Sequence, residues 1–311
     1  DSVTIGVSRP REHRKPRNHP DANASGEVTL ADTDIARPDG EQRHDTRQQL
    51  RSVQYRDSSN LGKRVSLHDR FSTNRQGFHR WVFDHLSLPP QARVLELGCG
   101  RGTLWERNAE RIPKDWRVLM SDFTQGMVRD ARDVLRKDLD PFTFIVSEAE
   151  SIPVADDSFD AVIANHMLYH VDRPLVFAEI RRVLKPDGQL YASANGLGHM
   201  RELGDLVGEF SSDHRREFGG AQAFGLENGR DQLAEYFDQV DIHRYDDSLV
   251  VTDGEALVRW AESWAPEVFA VDQLPDLYAH LSNTTGDNGL HVGKDSGVFI
   301  ARTGSLDHVA A

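Results

Sequence analysis

The stretch Val94-Leu-Glu-Leu-Gly-Cys-Gly-Arg-Gly102 constrains this chain most: an apolar run meets an acidic residue, and three glycines follow at alternate positions. Such a run reads as a buried parallel strand turning tightly into a helix. Glycine suits that turn because it enters positive φ without strain and lets a ligand approach the backbone. The spacing E-x-G-x-G-x-G departs from the dinucleotide pattern G-x-G-x-x-G.

The stretch opens a regular rhythm. Strands are expected at Val94–Leu97, Arg117–Ser121, Phe142–Val146, Ala161–Ala164 and Gln189–Ser193, the last preceded by a turn at Lys185-Pro-Asp-Gly188. Helices are expected at Thr103–Arg111, Thr124–Arg136 and Pro174–Leu184. Alternation of this kind implies an α/β fold, a parallel sheet with helices on both faces, and ligands at the carboxyl ends of the strands. Five segments follow: a disordered tail over 1–50, an N-terminal helical cap over 51–90, a core over 91–195, a helical lid over 196–235, and a C-terminal completion of the sheet over 236–311. Within the cap, apolar spacing is helical from Asn60 to Leu86, with a break at Ser72-Thr-Asn-Arg75. In the last segment Val240–Tyr245 and Gly297–Ala301 read as strands and Asp253–Trp264 as an amphipathic helix.

Charge and cysteine usage narrow the partners. The net charge of −13 over 311 residues argues against nucleic acid, which needs a basic surface. No apolar run is long enough to span a bilayer. The one cysteine, Cys99, excludes intramolecular disulfides and a cysteine zinc cluster, and no metal is expected. A cytoplasmic location is the expectation. Oligomeric state stays open.

Further pieces follow the glycine stretch in order: Met120-Ser-Asp-Phe123 with Met127, Ser147-Glu-Ala-Glu150 with Ile152-Pro153, Ser158-Phe-Asp160, Asn165–Val171 and Leu184-Lys-Pro-Asp-Gly188. As an ordered set over about Ala92–Ala194 they resemble class I S-adenosylmethionine-dependent methyltransferases of the ubiquinone/menaquinone-biosynthesis type. The resemblance implies a Rossmann-like seven-stranded sheet with the final strand antiparallel, a place that Gly297–Ala301 fits. It also implies S-adenosylmethionine as cofactor. Glu96 would then receive the methionyl ammonium and Asp122 the ribose hydroxyls. Gly98, Cys99, Gly100 and Gly102 would let the backbone approach, Phe123 or Met127 would pack on adenine, and Glu148 and Ala149 would meet its edge. Asn165 and His166 would lie beneath the sulfonium.

The expected activity is methyl transfer to oxygen or nitrogen of a small-molecule acceptor. His170 aligns with a histidine that pairs with an N-terminal tyrosine in phosphoethanolamine methyltransferases; Tyr55 is the matching tyrosine, while that family's nearby aspartate is His166 here. His170 with Tyr55, and His199, are therefore the candidate bases. Phe71, Phe78, Trp81, Phe224, Trp260 and Trp264 are candidate walls of an apolar acceptor pocket, and Asp246-Asp247 reads as a solvated face. Two alternatives remain at this stage. One is a methyltransferase-like scaffold that cyclises or only binds its substrate, the other a methyltransferase of RNA or protein.

Overall fold

A computed structural model of the protein describes residues 59–303, apart from 137–139, 213–219 and 287. Tyr55 and the expected tail lie outside the described residues. In chain order the elements are α1 (Ser59–Phe71), α2 (Phe78–Asp84), β1 (Arg93–Leu97), α3 (Thr103–Glu106), β2 (Arg117–Asp122), α4 (Gln125–Val134), β3 (Phe142–Val146) and β4 (Phe159–Asn165). They continue with α5 (Arg173–Val183), β5 (Leu184–Asn195), α6 (Arg201–Phe210), α7 (Gly229–Ala234), β6 (Gln239–Val251), α8 (Gly254–Ala261), α9 (Leu274–Ser282) and β7 (Leu290–Arg302).

The seven strands form one sheet in the order β3-β2-β1-β4-β5-β7-β6, with β7 antiparallel to both of its neighbours. Strand β1 is buried from Val94 to Leu97 because both faces of the sheet are covered, as its unbroken apolar run requires. Leu95 and Leu97 join a core beneath α5 and α7, with Phe177, Ile180 and Leu233. Val94 joins a second core on the other face with Val82, Phe83, Trp105 and Trp116.

Three local differences from the sequence expectation have physical causes. The expected turn at residues 185–188 is absorbed into β5 as an irregularity: Phe159 pairs with Leu184 and Ala161 with Gln189. The helix after the glycine stretch stops at Glu106, and the buried Asn108 donates its side-chain amide to the carbonyls of His79 and Leu104. Strands β6 and β7 are each 13 residues long, about twice what alternation alone indicated for β6.

That extra length matters for the site. Strand β5 pairs with β7 only as far as Asn195↔Ser296, while β6 and β7 go on pairing to Val251↔Leu290. The overhanging ribbon leaves the sheet at its carboxyl edge. It carries a third core, in which Leu249, Val251 and Val292 pack with Leu67 of α1, Leu203 of α6, Leu257 of α8 and Leu277 of α9. Residues 72–74 dock on its outer edge, where Thr73 donates its N–H to the Ser248 carbonyl at 2.9 Å. Helix α1 is also pinned on two sides, by Lys63–Glu262 (3.0 Å) and Arg70–Asp253 (2.7 Å) toward the ribbon and by Arg107–Asp69 toward the sheet.

Candidate active site

A cavity of about 1830 Å³ opens between the carboxyl ends of β1, β2 and β4, helix α1 with residues 72–77, and the ribbon. Its first end is built by the glycine stretch. Gly98, Gly100 and Gly102 have φ of 63°, 52° and 79°, the left-handed region that a side chain strains to enter. A Cβ on Gly98 would lie 2.9 Å from the Cβ of Met167, so the glycine also makes room for the wall opposite.

Glu96 and Asp122 flank this turn, 2% and 5% exposed. The Trp105 indole N–H donates to Glu96 Oε2 at 2.7 Å, and the Asn165 amide to Oε1 at 3.4 Å. Ser193 fixes Asn165 by donating to its Oδ1 at 3.0 Å. Burial pushes the Glu96 carboxyl up to about 7, against the lowering effect of the Trp105 and Asn165 bonds. Asp122 ties the turn to helix α4: Oδ2 accepts from Gly100 N–H at 3.1 Å, and Oδ1 from the Thr124 N–H at 2.9 Å and hydroxyl at 3.1 Å. Burial raises its pKa as well, opposed by those bonds. Cys99 is buried beside both carboxylates, and burial with their charge keeps its thiol protonated.

Phe123, Met127, Glu148, Ala149, Asn165 and His166 line the same cavity. So do His170 and His199, with Phe71, Phe78, Trp260 and Trp264. Two of the expected wall residues stand elsewhere. Phe224 is in the core against Phe177 and Phe299, and Trp81 packs on His85 and Tyr245.

The second end of the cavity was not anticipated as a whole. Arg64, His68 and Phe71 sit on one face of α1 at helical spacing and line the cavity together with His79, His166, His170 and His199. His68 stacks on His199 with ring centroids 6.3 Å apart, and His166 packs on Phe78 at 5.1 Å. His166 has φ of 50°, a strained backbone for a non-glycine residue. Burial lowers all of these imidazoles, to about 3 for His68 and His166 and about 4 for His79 and His170, with Lys294 adding to the effect at His68 and His166 and Arg64 at His170. His199 is also lowered, by burial first and then by its histidine neighbours and Lys294.

Lys294, on the ribbon, is paired with Asp247, and both side chains are buried. Asp247 is therefore not the solvated face its neighbours in sequence suggest. It also accepts from the Ser72 hydroxyl, from Asn74 N–H at 3.0 Å and from Ser248 N–H at 2.8 Å. Burial alone would raise this carboxyl, but the Lys294, Ser72 and Asn74 bonds outweigh it and hold the pKa below the usual carboxylate range. Among the described residues no group of three or more His, Cys, Asp or Glu is arranged to hold a metal ion, and no helix is long and apolar enough to cross a membrane.

Residues 95–192, which run from β1 into β5 and include both flanking carboxylates, match the family described as methyltransferase domain. This segment is a methyltransferase domain. An uncharacterized methyltransferase of Mycobacterium tuberculosis is 34% identical over 155 residues, 49% of this chain and 60% of the relative. The ubiquinone/menaquinone biosynthesis C-methyltransferase of Hydrogenovibrio crunogenus is 35% identical over 121 residues, 37% of this chain and 48% of that protein. The chain thus spans 60% or less of these curated relatives. Among solved structures, phosphoethanolamine N-methyltransferase 2 of Haemonchus contortus in complex with S-adenosyl-L-methionine superposes with a TM-score of 0.53 at 18% identity, over 84% of this chain and 60% of that one. The methyltransferase domain thus accounts for the glycine stretch, the two carboxylates and the walls from Glu148 to His170. The ribbon and α1 lie outside the matched segment.

Proposed function

We propose that the protein binds S-adenosylmethionine at the carboxylate end of the cavity and transfers its methyl group to a small-molecule acceptor at the imidazole end. The carrying observation is the pair of buried carboxylates, Glu96 and Asp122, at the ends of adjacent parallel strands with the glycine stretch between them. Their chemistry fits the cofactor. A desolvated carboxyl with a pKa near 7 gains most from a cationic partner, which the methionyl ammonium is. Asp122 stands at the second strand end, where acidic residues receive ribose hydroxyls in related nucleotide folds. In this reading Phe123 and Met127 hold the adenine ring, Glu148 and Ala149 its edge, and Asn165 and His166 the region beneath the sulfonium.

When bound, S-adenosylmethionine supplies a methyl group already activated on a sulfonium. The task left to the chain is to orient two partners and exclude water. Helix α1 and residues 72–77 roof the acceptor end, and a roofed cavity suits a small acceptor better than a macromolecule. His199 accepts the Asp295 N–H at its Nδ1 at 3.3 Å, so its own hydrogen sits on Nε2. His199 is accordingly read as a hydrogen-bond donor in place of a base, and His170, with a pKa of about 4, as a positioning group. Calorimetry with S-adenosylhomocysteine tests the reading. Saturable binding by the wild-type chain and its loss in a folded Gly98→Val variant are expected; no binding by the wild-type chain overturns it.

A further inference from the structure

The imidazole end holds five histidines, yet it is built to donate hydrogen bonds and not to take up protons. The Nδ1 atoms of His68 and His166 are buried without a hydrogen-bond partner among the described residues, an arrangement that costs stability unless a ligand completes it. His199 has its tautomer set by the ribbon, because Asp295 N–H points at Nδ1 and the Ser296 hydroxyl hydrogen is committed to Asn195 Oδ1 at 2.7 Å. His68, His166 and His199, as neutral rings, each carry one N–H. The charges that act on these rings are the cations Lys294, Arg64 and Arg107 and the carboxylates Asp247, which is itself paired with Lys294, and Asp69, which is paired with Arg107. The carboxylates Glu96 and Asp122 stand at the other end. The walls between the polar groups are Phe71, Phe78, Trp260, Trp264 and Met200.

We infer that the acceptor enters as an oxyanion on an apolar body, a carboxylate or an acidic phenol or enol, held by N–H donation from His68, His166 and His199. The inference rests on the cofactor reading above and adds the class of acceptor. Chemically it removes the need for a base. The acceptor oxyanion contributes the electron pair of the new O–C bond, the C–S bond breaks with its pair left on sulfur, the sulfonium becomes a thioether, and no proton moves. Imidazoles this reluctant to protonate are poorly matched to deprotonating an ordinary alcohol near neutral pH, where an effective base needs a pKa near the working pH. A cationic ammonium would meet N–H donors and the cations Lys294 and Arg64.

The test uses the full chain saturated with S-adenosylhomocysteine and three probes of one shape: naphthoate, naphthamide and naphthylmethylammonium. Calorimetry is expected to rank naphthoate at least about tenfold tighter than naphthamide, the lower range for one hydrogen bond to a charged group, with naphthylmethylammonium weakest. His68→Phe keeps a ring against His199 and removes the donor. It should lose about fivefold or more of the naphthoate preference while S-adenosylhomocysteine affinity changes less than about twofold. Should the variant fail to fold, the wild-type ranking decides alone. Naphthamide or naphthylmethylammonium binding as well as naphthoate, no saturable naphthoate binding, or a folded His68→Phe protein with full preference would overturn the inference. Failure of S-adenosylhomocysteine itself to bind would instead overturn the cofactor reading.

Discussion

Cofactor affinity should depend on pH through one carboxyl, Glu96. Its pKa of about 7 means that the ligand-free site is largely protonated below neutrality, whereas an ammonium needs the ionised form. Only the ionised fraction is competent, and the apparent Kd is the intrinsic one divided by that fraction. With a pKa of about 7, roughly three quarters of the sites are ionised at about pH 7.5 and about 3% at about pH 5.5. The Kd for S-adenosylhomocysteine should therefore rise by roughly 25-fold across this window, about 2 kcal/mol. The cavity histidines with pKa values of about 3 to 4 stay neutral throughout, so they do not contribute to the slope. Stability of the ligand-free protein moves in the same range. The folded pKa lies above the ordinary carboxyl value of 4.5, so the folded state holds this proton more tightly. Stability is thus lost as pH rises from about 4.5 to about 7, by up to about 3 kcal/mol. Calorimetry across the pH range on wild type and on Glu96→Gln is the assay. The variant should bind more weakly near pH 7.5 and show no slope. A wild-type Kd constant within about twofold, or the same slope in Glu96→Gln, would refute the argument.

Four further outcomes follow from the same geometry. Asp122→Ala should weaken S-adenosylhomocysteine binding by roughly 1.5–3 kcal/mol, the range for hydrogen bonds to a charged group, as read by calorimetry. Turnover on the true acceptor should lack a histidine limb above about pH 5, because the imidazole of His170 takes up its proton only near 4; a pH–rate profile falling with a midpoint near 6.5 would restore it as the base. Leu67→Ala should cost about 2–5 kcal/mol in urea unfolding, since this side chain is 1% exposed in the core that joins α1 to the ribbon. Asp247→Asn should cost about 3–5 kcal/mol by the same assay, because it leaves Lys294 buried without its partner carboxylate.

The carboxylate end of the site was legible because its signals are local. An apolar run, an acid at its end and glycines at alternate positions occupy nine consecutive residues, and the second acid closes the next strand. The sheet was legible for the same reason: each parallel strand is buried on both faces, so it appears as a short apolar run between turn residues. Gly98 was read as leaving room for a ligand, whereas the Cβ it lacks would meet Met167, from the loop after β4. That detail depends on a residue far along the chain, and no local pattern contains it.

The imidazole end was hidden for a deeper reason. Its polar groups are intelligible only as pairs distant in sequence: Lys294 with Asp247 across 47 positions, Ser72 with Asp247 across 175, and His199 with Asp295 across 96. Read alone, Asp246-Asp247-Ser248 breaks the apolar alternation and looks like a surface, which is also why β6 was expected to stop at Tyr245. In the fold, Asp247 is desolvated by the antiparallel pairing that continues past β5, and its charge is neutralised by the facing strand. One signal did exist on a single element. Arg64 and His68 share a face of α1 with Phe71, while Leu67 points into the apolar core beside them. A helix that turns an arginine and a histidine toward the molecule beside a buried leucine has a polar space to cover, and here that space is the acceptor end of the cavity.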